Sequence, residues 1–307
     1  MAKRIIKLTR QRADWVGSRK VTLRGEPMRV NEASANKLTD SAMAQVRKMH
    51  LDISKQAMAL FDTELAKESI PKAPKEITRD DVATDSFAMD ASISVKARHL
   101  MNKLIRKWEK SFNLYGDNFA SAMIDTVTKQ SSRDLKKAGE KLSGGMTINT
   151  DTLSQRTKDI IFASTDESSS LIKSLASNYT ASAKEAISRS IASNTSSLTQ
   201  LREEIHNSLQ EKYKVQRNKA KNVALDQTRK AYSNIGASKM QDAGLDKYIW
   251  RHSGGSQNPR SFHKNELNGK TFSLSDPPVI DQRTGVKGKP GDLPNCKCFM
   301  EPAITFE

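Results

Sequence analysis

Ile235-Gly236-Ala237-Ser238-Lys239-Met240-Gln241-Asp242-Ala243-Gly244 runs directly into Leu245-Asp246-Lys247-Tyr248-Ile249-Trp250, and at that junction the chain changes its pattern. Upstream, Ala220, Ala224, Ala231 and Ile235 fall on one face of a helix. Ala243-Gly244 is a natural stop, because glycine takes the left-handed conformation of a helix C-terminus without steric cost. Downstream, Tyr248-Ile249-Trp250 is short and β-prone. The remainder is punctuated by Gly254-Gly255, Asn258-Pro259, Asn268-Gly269, Pro277-Pro278, Gly288 and Pro290-Gly291. Only short strands and tight turns fit such a stretch. The expected fold is mainly α: long helices and a helical bundle, followed by a small, loop-rich α+β C-terminal module with short strands.

The helical pattern extends far back from the junction. Ala42, Val46, Met49, Ile53, Ala57 and Leu60 predict a first helix from about Asn36 to near Lys67, interrupted by Ile70-Pro71 through Pro74. Ile93, Ala97, Leu100, Leu104, Trp108 and Phe112 form a second stripe, in a helical region that Ser143-Gly144-Gly145 ends. Packing against a neighbouring helix accounts for His99 and Trp108 there. In the serine-rich block from Thr152 to Gln210, Ile172, Leu175, Tyr179, Ala183, Ile187 and Ile191 make a third stripe, so the serines decorate a helix rather than a linker. Asn194-Thr195-Ser196 breaks it. Ser197 and Gln200 have the form of a capping box for a helix carrying Leu198, Leu201, Ile205 and Leu209 inward, and a further long helix is expected to follow.

Composition sets limits on what this fold does. Apolar residues make up 36% and aromatic residues 6% of the 307, against roughly 45 to 50% apolar, glycine included, in an average soluble domain. Narrow apolar stripes on long helices follow. No segment approaches the ~18 apolar residues of a membrane span, and no apolar run follows the charged start as a secretory signal requires, so folding in a cytoplasm is expected. Two cysteines one residue apart make a poor disulfide framework.

The formal net charge of +16 predicts attraction to polyanions. Lys3, Arg4, Lys7, Arg10 and Arg12 begin a basic stretch, read as an arm over residues 1–35 that orders on a partner. Lys212, Lys214, Arg217, Lys219 and Lys221 form a second concentration on one helix. These are the candidate contacts to a protein partner or to nucleic-acid phosphate, with a solvated face as the plainer alternative. Interleaved aromatics for base stacking are missing, so sequence-neutral contact is the form expected.

The last sixty residues hold both cysteines, two of the five histidines and six of the nine prolines. Their pattern runs Trp250, Arg260-Ser261-Phe262-His263, Leu267-Asn268-Gly269, Pro277, then Pro294-Asn295-Cys296-Lys297-Cys298 and Pro302. With the helical run from Ala186-Ile187 to Leu209 and the Val223-Ala224-Leu225-Asp226-Gln227-Thr228-Arg229 helix, this order resembles the phage Mu F-like head-morphogenesis proteins, also called minor capsid proteins. The resemblance covers roughly residues 152–302. It divides the chain into the basic arm, a helical region of unassigned role over 36–150, and a Mu F-like domain over 151–307 whose helices end near 243 and whose module is 244–307. It implies a low-copy structural protein of a tailed bacteriophage head, bound at the portal vertex inside the capsid and acting in assembly, genome packaging or ejection. The implied partners are the portal protein, the major capsid or scaffolding protein, and phage DNA without sequence preference, with no membrane. No enzymatic activity is general to the family.

The residues themselves raise two further possibilities. Cys296 and Cys298 offer two thiolates, and His252 and His263 two imidazoles, which together make the four ligands of one structural zinc. Some relatives carry an additional Cys-x-x-Cys upstream of Arg260-x-x-His263, and a histidine where this chain has Leu293, so His252 would have to complete the set here. The alternative is small buried cysteines with His263 bonded to a turn carbonyl. A Cys-His pair also supports a metal-dependent hydrolase reading, but no nucleophile elbow is present, and Gly254-Gly255 lacks the Gly-Lys-Ser/Thr of a phosphate loop. The expected functions are thus a head-interior structural protein, a DNA-binding protein packaged with the genome, and, third, a hydrolase, with no catalytic residues assigned.

Overall fold

The computed structural model describes residues 21–68, 92–145, 148, 150, 152–193, 197–255 and 259–306. Four long helices dominate them: α1 (Glu32–Glu68), α2 (Ile93–Ser143), α3 (Gln155–Ser193) and α4 (Leu198–Asp242). Short strands account for the rest: β1 (Val21–Arg24), β2 (Lys247–Arg251), β3 (Thr271–Ser273), β4 (Val279–Asp281), β5 (Val286–Lys287) and β6 (Phe299–Phe306). This is the expected mainly helical bundle with short antiparallel strands at its C-terminal end.

The helix ends follow the punctuation. After α2, Gly144 has φ 73° and the Gly145 N–H bonds the Glu140 carbonyl at 2.8 Å. After α4, Gly244 has φ 77° and the Leu245 N–H bonds the Met240 carbonyl at 2.8 Å. Both are six-to-one closures that satisfy a carbonyl the helix leaves free. Where two successive helices are expected after Ser197, the structure has one, α4, 45 residues long. The polar run from Gln210 to Lys219 interrupts the apolar stripe, but it contains neither proline nor glycine and the helix continues through it.

The chain packs into two compact units, and each of the four helices contributes a stretch to both. One unit comprises Asp40–Gly116 and Ser170–Lys221. Its core is built largely from the predicted stripes: Val46, Met49 and Ile53 of α1, Leu104, Trp108 and Phe112 of α2, Leu175 and Tyr179 of α3, and Ile205 and Leu209 of α4 are all buried, while Phe61 rather than the predicted Leu60 is the buried residue at the end of the α1 stripe. Polar side chains bond across the helices of this unit. Asp52 accepts from Trp108 Nε1, Gln56 Nε2 and Lys107 Nζ, each at 2.8 Å. Burial opposes ionisation of Asp52, but these bonds together outweigh it and hold the carboxyl below its usual range. His50 shares a 2.6 Å bond between Nδ1 and the Tyr179 hydroxyl and stacks on Tyr213, and burial lowers its pKa.

The other unit comprises the described residues up to Thr39, Asp117–Ser169 and Asn222–Glu307. Its antiparallel sheet has the order β1-β6-β2-β3, with β4 and β5 pairing separately as a hairpin. In β2, Tyr248, Ile249 and Trp250 are all buried, so neither face of the strand is left to solvent. Two contacts seat the loops on α4: Ser233 Oγ donates to the Pro290 carbonyl, and the Asn295 N–H donates to Asp226 Oδ1 at 2.7 Å. Gly291, at φ 95°, lies where a Cβ would stand 3.3 Å from the Arg229 carbonyl oxygen.

The basic-arm reading over residues 1–35 needs correction from Val21 onward. Val21–Arg24 pairs with the last four residues of β6, the Gly25 N–H bonds the Pro302 carbonyl, Met28 is buried and bridges Met300, and α1 begins at Glu32. The alternation Val21-Thr22-Leu23-Arg24 is strand-like, and counting only charge conceals it. Lys3, Arg4, Lys7, Arg10 and Arg12, and the break from Ile70 to Pro74, lie outside the described residues.

Candidate metal centre

His263 opens the five-residue π-helical turn His263–Leu267, and Cys296 and Cys298 flank the start of β6. The cysteine turn is tight: the Cys296 N–H bonds the Leu293 carbonyl at 3.1 Å and Asn295 sits at φ 58°. Asparagine tolerates that left-handed conformation better than most side chains. Arg260 Nη2 donates to the Pro294 carbonyl at 2.9 Å, fixing the turn from the other side.

These elements bring three of the four expected ligands together. His263 Nδ1 stands 3.7 Å from Cys296 Sγ and 3.8 Å from Cys298 Sγ, and the three atoms all lie within 4.8 Å of one another. Zinc bonds of about 2.3 Å to sulfur and 2.0–2.1 Å to nitrogen, at a tetrahedral angle, separate such atoms by about 3.6 Å. The spacing therefore already matches two edges of a coordination tetrahedron. His263 is 2% exposed and Cys296 4%.

The tautomers distinguish the two histidines. His263 Nε2 lies 2.9 Å from the Ile280 carbonyl oxygen, which only accepts, so the proton is on Nε2 and the Nδ1 lone pair is aimed at the sulfurs. This is the outer bond that orients a metal-binding imidazole. His252 is arranged the other way: its Nδ1 accepts the Gly254 N–H at 3.1 Å, which leaves the proton on Nε2. It lines the same small cavity, with Arg260 and Asn295, but is not one of the converging group. Three of the four expected ligands thus converge, and His252 stands beside them on the same cavity. Gly254, at φ 72°, turns the chain so that the backbone takes the His252 lone pair.

The sulfurs are prepared for charge. The hydrogen bond from the Cys298 thiol has the largest effect on Cys296 and, with the backbone N–H groups of Gly291 and Cys298, works against burial to hold that thiol below its usual range. The same bond, then burial, pushes Cys298 upward, so the pair retains one proton at neutral pH. Trp250 Nε1 is buried without an ordinary hydrogen-bond partner and favours negative charge on Cys298. An orphaned donor aimed at a thiol, a histidine in the ligating tautomer and two cysteines make a soft, nitrogen-sulfur donor set suited to zinc. Spacing in the sequence marks the cysteines and His263, but carries no signal for the Ile280 carbonyl or the Trp250 N–H.

The other predicted contacts do not form one patch. On α4, Lys214, Arg217 and Lys221 share a helix face, whereas Lys212 and Lys219 lie on another; all but the half-buried Lys212 are exposed. No helix among the described residues is long and apolar enough to cross a membrane.

Residues 183–301 match the family model described as Phage Mu protein F like protein. The match takes in the end of α3, all of α4 and the His263, Cys296 and Cys298 cluster. The family so described is one of structural phage head-morphogenesis, or minor capsid, proteins. No curated protein and no solved structure matches the chain.

Proposed function

We propose that this chain, whose residues 183–301 belong to the Phage Mu protein F-like family, is a minor head protein that docks on the portal inside the capsid of a tailed phage and serves in assembly, packaging or ejection of the genome. The family match carries this reading. The major capsid or scaffolding protein is a further partner in the same role. The protein resides in the head interior, and in the host cytoplasm while heads assemble.

Within this role the C-terminal module carries one zinc, held by His263, Cys296 and Cys298. Bound there, the ion would cross-link the π-helical turn to the start of β6. A module this rich in loops gains most from such a staple.

The test is co-expression with the portal protein of the same phage, purification of the portal ring in about 0.5 M salt to screen exposed charge pairs, and light scattering of the product. A stoichiometric complex supports portal docking. A chain that washes off while folded refutes it.

A further inference from the structure

We infer that the outer face of α2 between Arg98 and Lys110 is a binding surface for the phosphate backbone of duplex nucleic acid. The stretch Ile93 to Phe112 carries six basic residues, Lys96, Arg98, Lys103, Arg106, Lys107 and Lys110, against the single acid Glu109. Two are neutralised: Lys96 pairs with Glu64 at 3.1 Å and Lys107 with Asp52 at 2.8 Å. Arg98, Lys103, Arg106 and Lys110 are exposed, and none forms an ion pair with a described residue. Opposite charge is therefore available to a partner.

The arrangement is linear. His99, Lys103, Arg106 and Lys110 follow one another by four, three and four residues and lie along one helix face. Eleven residues at about 1.5 Å each make a row of about 16 Å, the length of roughly five phosphates of one strand at about 3.4 Å per step. His99, Asn102, Lys103 and Arg106 also line a shallow groove. At its wall Asn102 Oδ1 accepts from Lys184 Nζ at 3.2 Å, which adds a cation from α3.

The composition of the row favours a nucleic-acid backbone over a protein. The centre of a protein interface is depleted in charge and built on apolar or aromatic anchors. Here no large apolar side chain is exposed between Val95 and Leu114. No Phe, Tyr or Trp stands in the row to stack on a base, so contact without sequence preference follows.

A control is built into the same unit. α2 touches α1 through Lys96–Glu64 and α3 through Asn102–Lys184, and α4 also touches α1, through Arg202–Asp62, and α3, through Gln216 and the Leu175 carbonyl. Lys214, Arg217 and Lys221 are exposed on a different helix, α4, and are not part of the α2 row. The inference is independent of portal docking.

The experiment is fluorescence anisotropy of a labelled 30-base-pair mixed-sequence duplex with the full chain, at 50 to 200 mM KCl. Lys103→Gln/Arg106→Gln/Lys110→Gln should flatten the slope of log affinity against log salt by about 2.7, at about 0.9 per lost phosphate contact, with unchanged thermal melting. Lys214→Gln/Arg217→Gln/Lys221→Gln removes the same formal charge and should flatten it by less than one. If the α2 triple variant fails to fold, Arg106→Gln alone should flatten the slope by about 0.9. No binding by the unaltered chain, or equal losses from both triples, overturns the inference. So does an α2 variant that loses portal binding while its duplex binding is unchanged, which would make the row a protein-docking face.

Discussion

Lys239→Met should make the protein more stable at neutral pH, and should remove a rise in stability that the unaltered chain shows on the alkaline side. Lys239 is 4% exposed, and its ammonium has two neutral partners, the Thr128 carbonyl at 2.9 Å and Ser132 Oγ at 2.6 Å. Burial lowers its pKa from the usual 10.5 to about 8. Each tenfold change is about 1.4 kcal/mol, so holding the proton at pH 7 costs roughly 3 kcal/mol. Between pH 8 and 10.5 the unfolded chain binds the proton and the folded chain has lost it, so unfolding free energy rises with pH there. The gain is about 2 kcal/mol by pH 9.5. Above pH 10 the sign turns, because burial raises the pKa of Tyr179, Tyr232 and Tyr248, and their ionisation in the unfolded chain then favours unfolding. Methionine fills similar volume and removes the charge, but leaves Ser132 Oγ without its donor at about 1 kcal/mol. The expected result at pH 7 is a net stabilisation of about 2 kcal/mol, from the difference of these two terms. Urea unfolding of both proteins at pH 7, 8.5 and 9.5 tests it. An unaltered chain whose stability is flat over this range would refute the buried, charged lysine, as would a variant that retains the rise.

Zinc should bind at one equivalent, and X-ray absorption of the loaded protein should give two sulfur neighbours at about 2.3 Å and one nitrogen at about 2.0–2.1 Å. His263→Ala and Cys296→Ser should each abolish binding and lower the melting temperature of the loaded protein, whereas His252→Ala should leave both nearly unchanged; equal losses from all three would restore the four-ligand set. Asp52→Asn should destabilise the chain by about 1–3 kcal/mol, because three donors lose a charged acceptor. Asp52 is ionised at lower pH in the folded than in the unfolded chain, so its contribution is full above the usual carboxylate range and fades as pH falls through the folded value. The variant's deficit should therefore shrink in acid, and a deficit that is constant down to pH 2 would count against the charged bonds.

Much of the helical architecture was legible because the stripes are local. Val46, Met49 and Ile53, or Leu104, Trp108 and Phe112, need only a spacing of three or four to be assigned to a buried face. Gly144 and Gly244 marked helix ends for an equally local reason, the left-handed backbone each adopts. What failed depended on partners distant in the chain. β1 exists because β6, nearly three hundred residues later, supplies its ladder. α4 continues past Gln210 because no breaker interrupts it, although its stripe lapses into a polar run. In the site, residue type was enough to nominate Cys296, Cys298 and His263. His252 has the same type, and only its bond to the Gly254 N–H shows that its lone pair is already taken.

The position of the cluster explains why a metal would act beyond its own loop. Cys298 immediately precedes Phe299, the first residue of β6, and β6 is an inner strand with β1 on one side and β2 on the other. The first pair of the β2–β6 ladder at that end is Arg251 with Phe299, and Arg251 also pairs with Glu301, whose carboxylate is buried. On the other side Met28 meets Met300, which places the entry to α1 one strand from the cysteines. Fixing Cys296 and Cys298 to His263 would therefore anchor the beginning of the strand on which the N-terminal segment depends. It would also join that strand to β4 through the Ile280 carbonyl. Loss of the ion should then be felt first as faster amide exchange at Met300 and Met28, before any change in the helices, whose own buried stripes do not pass through the site.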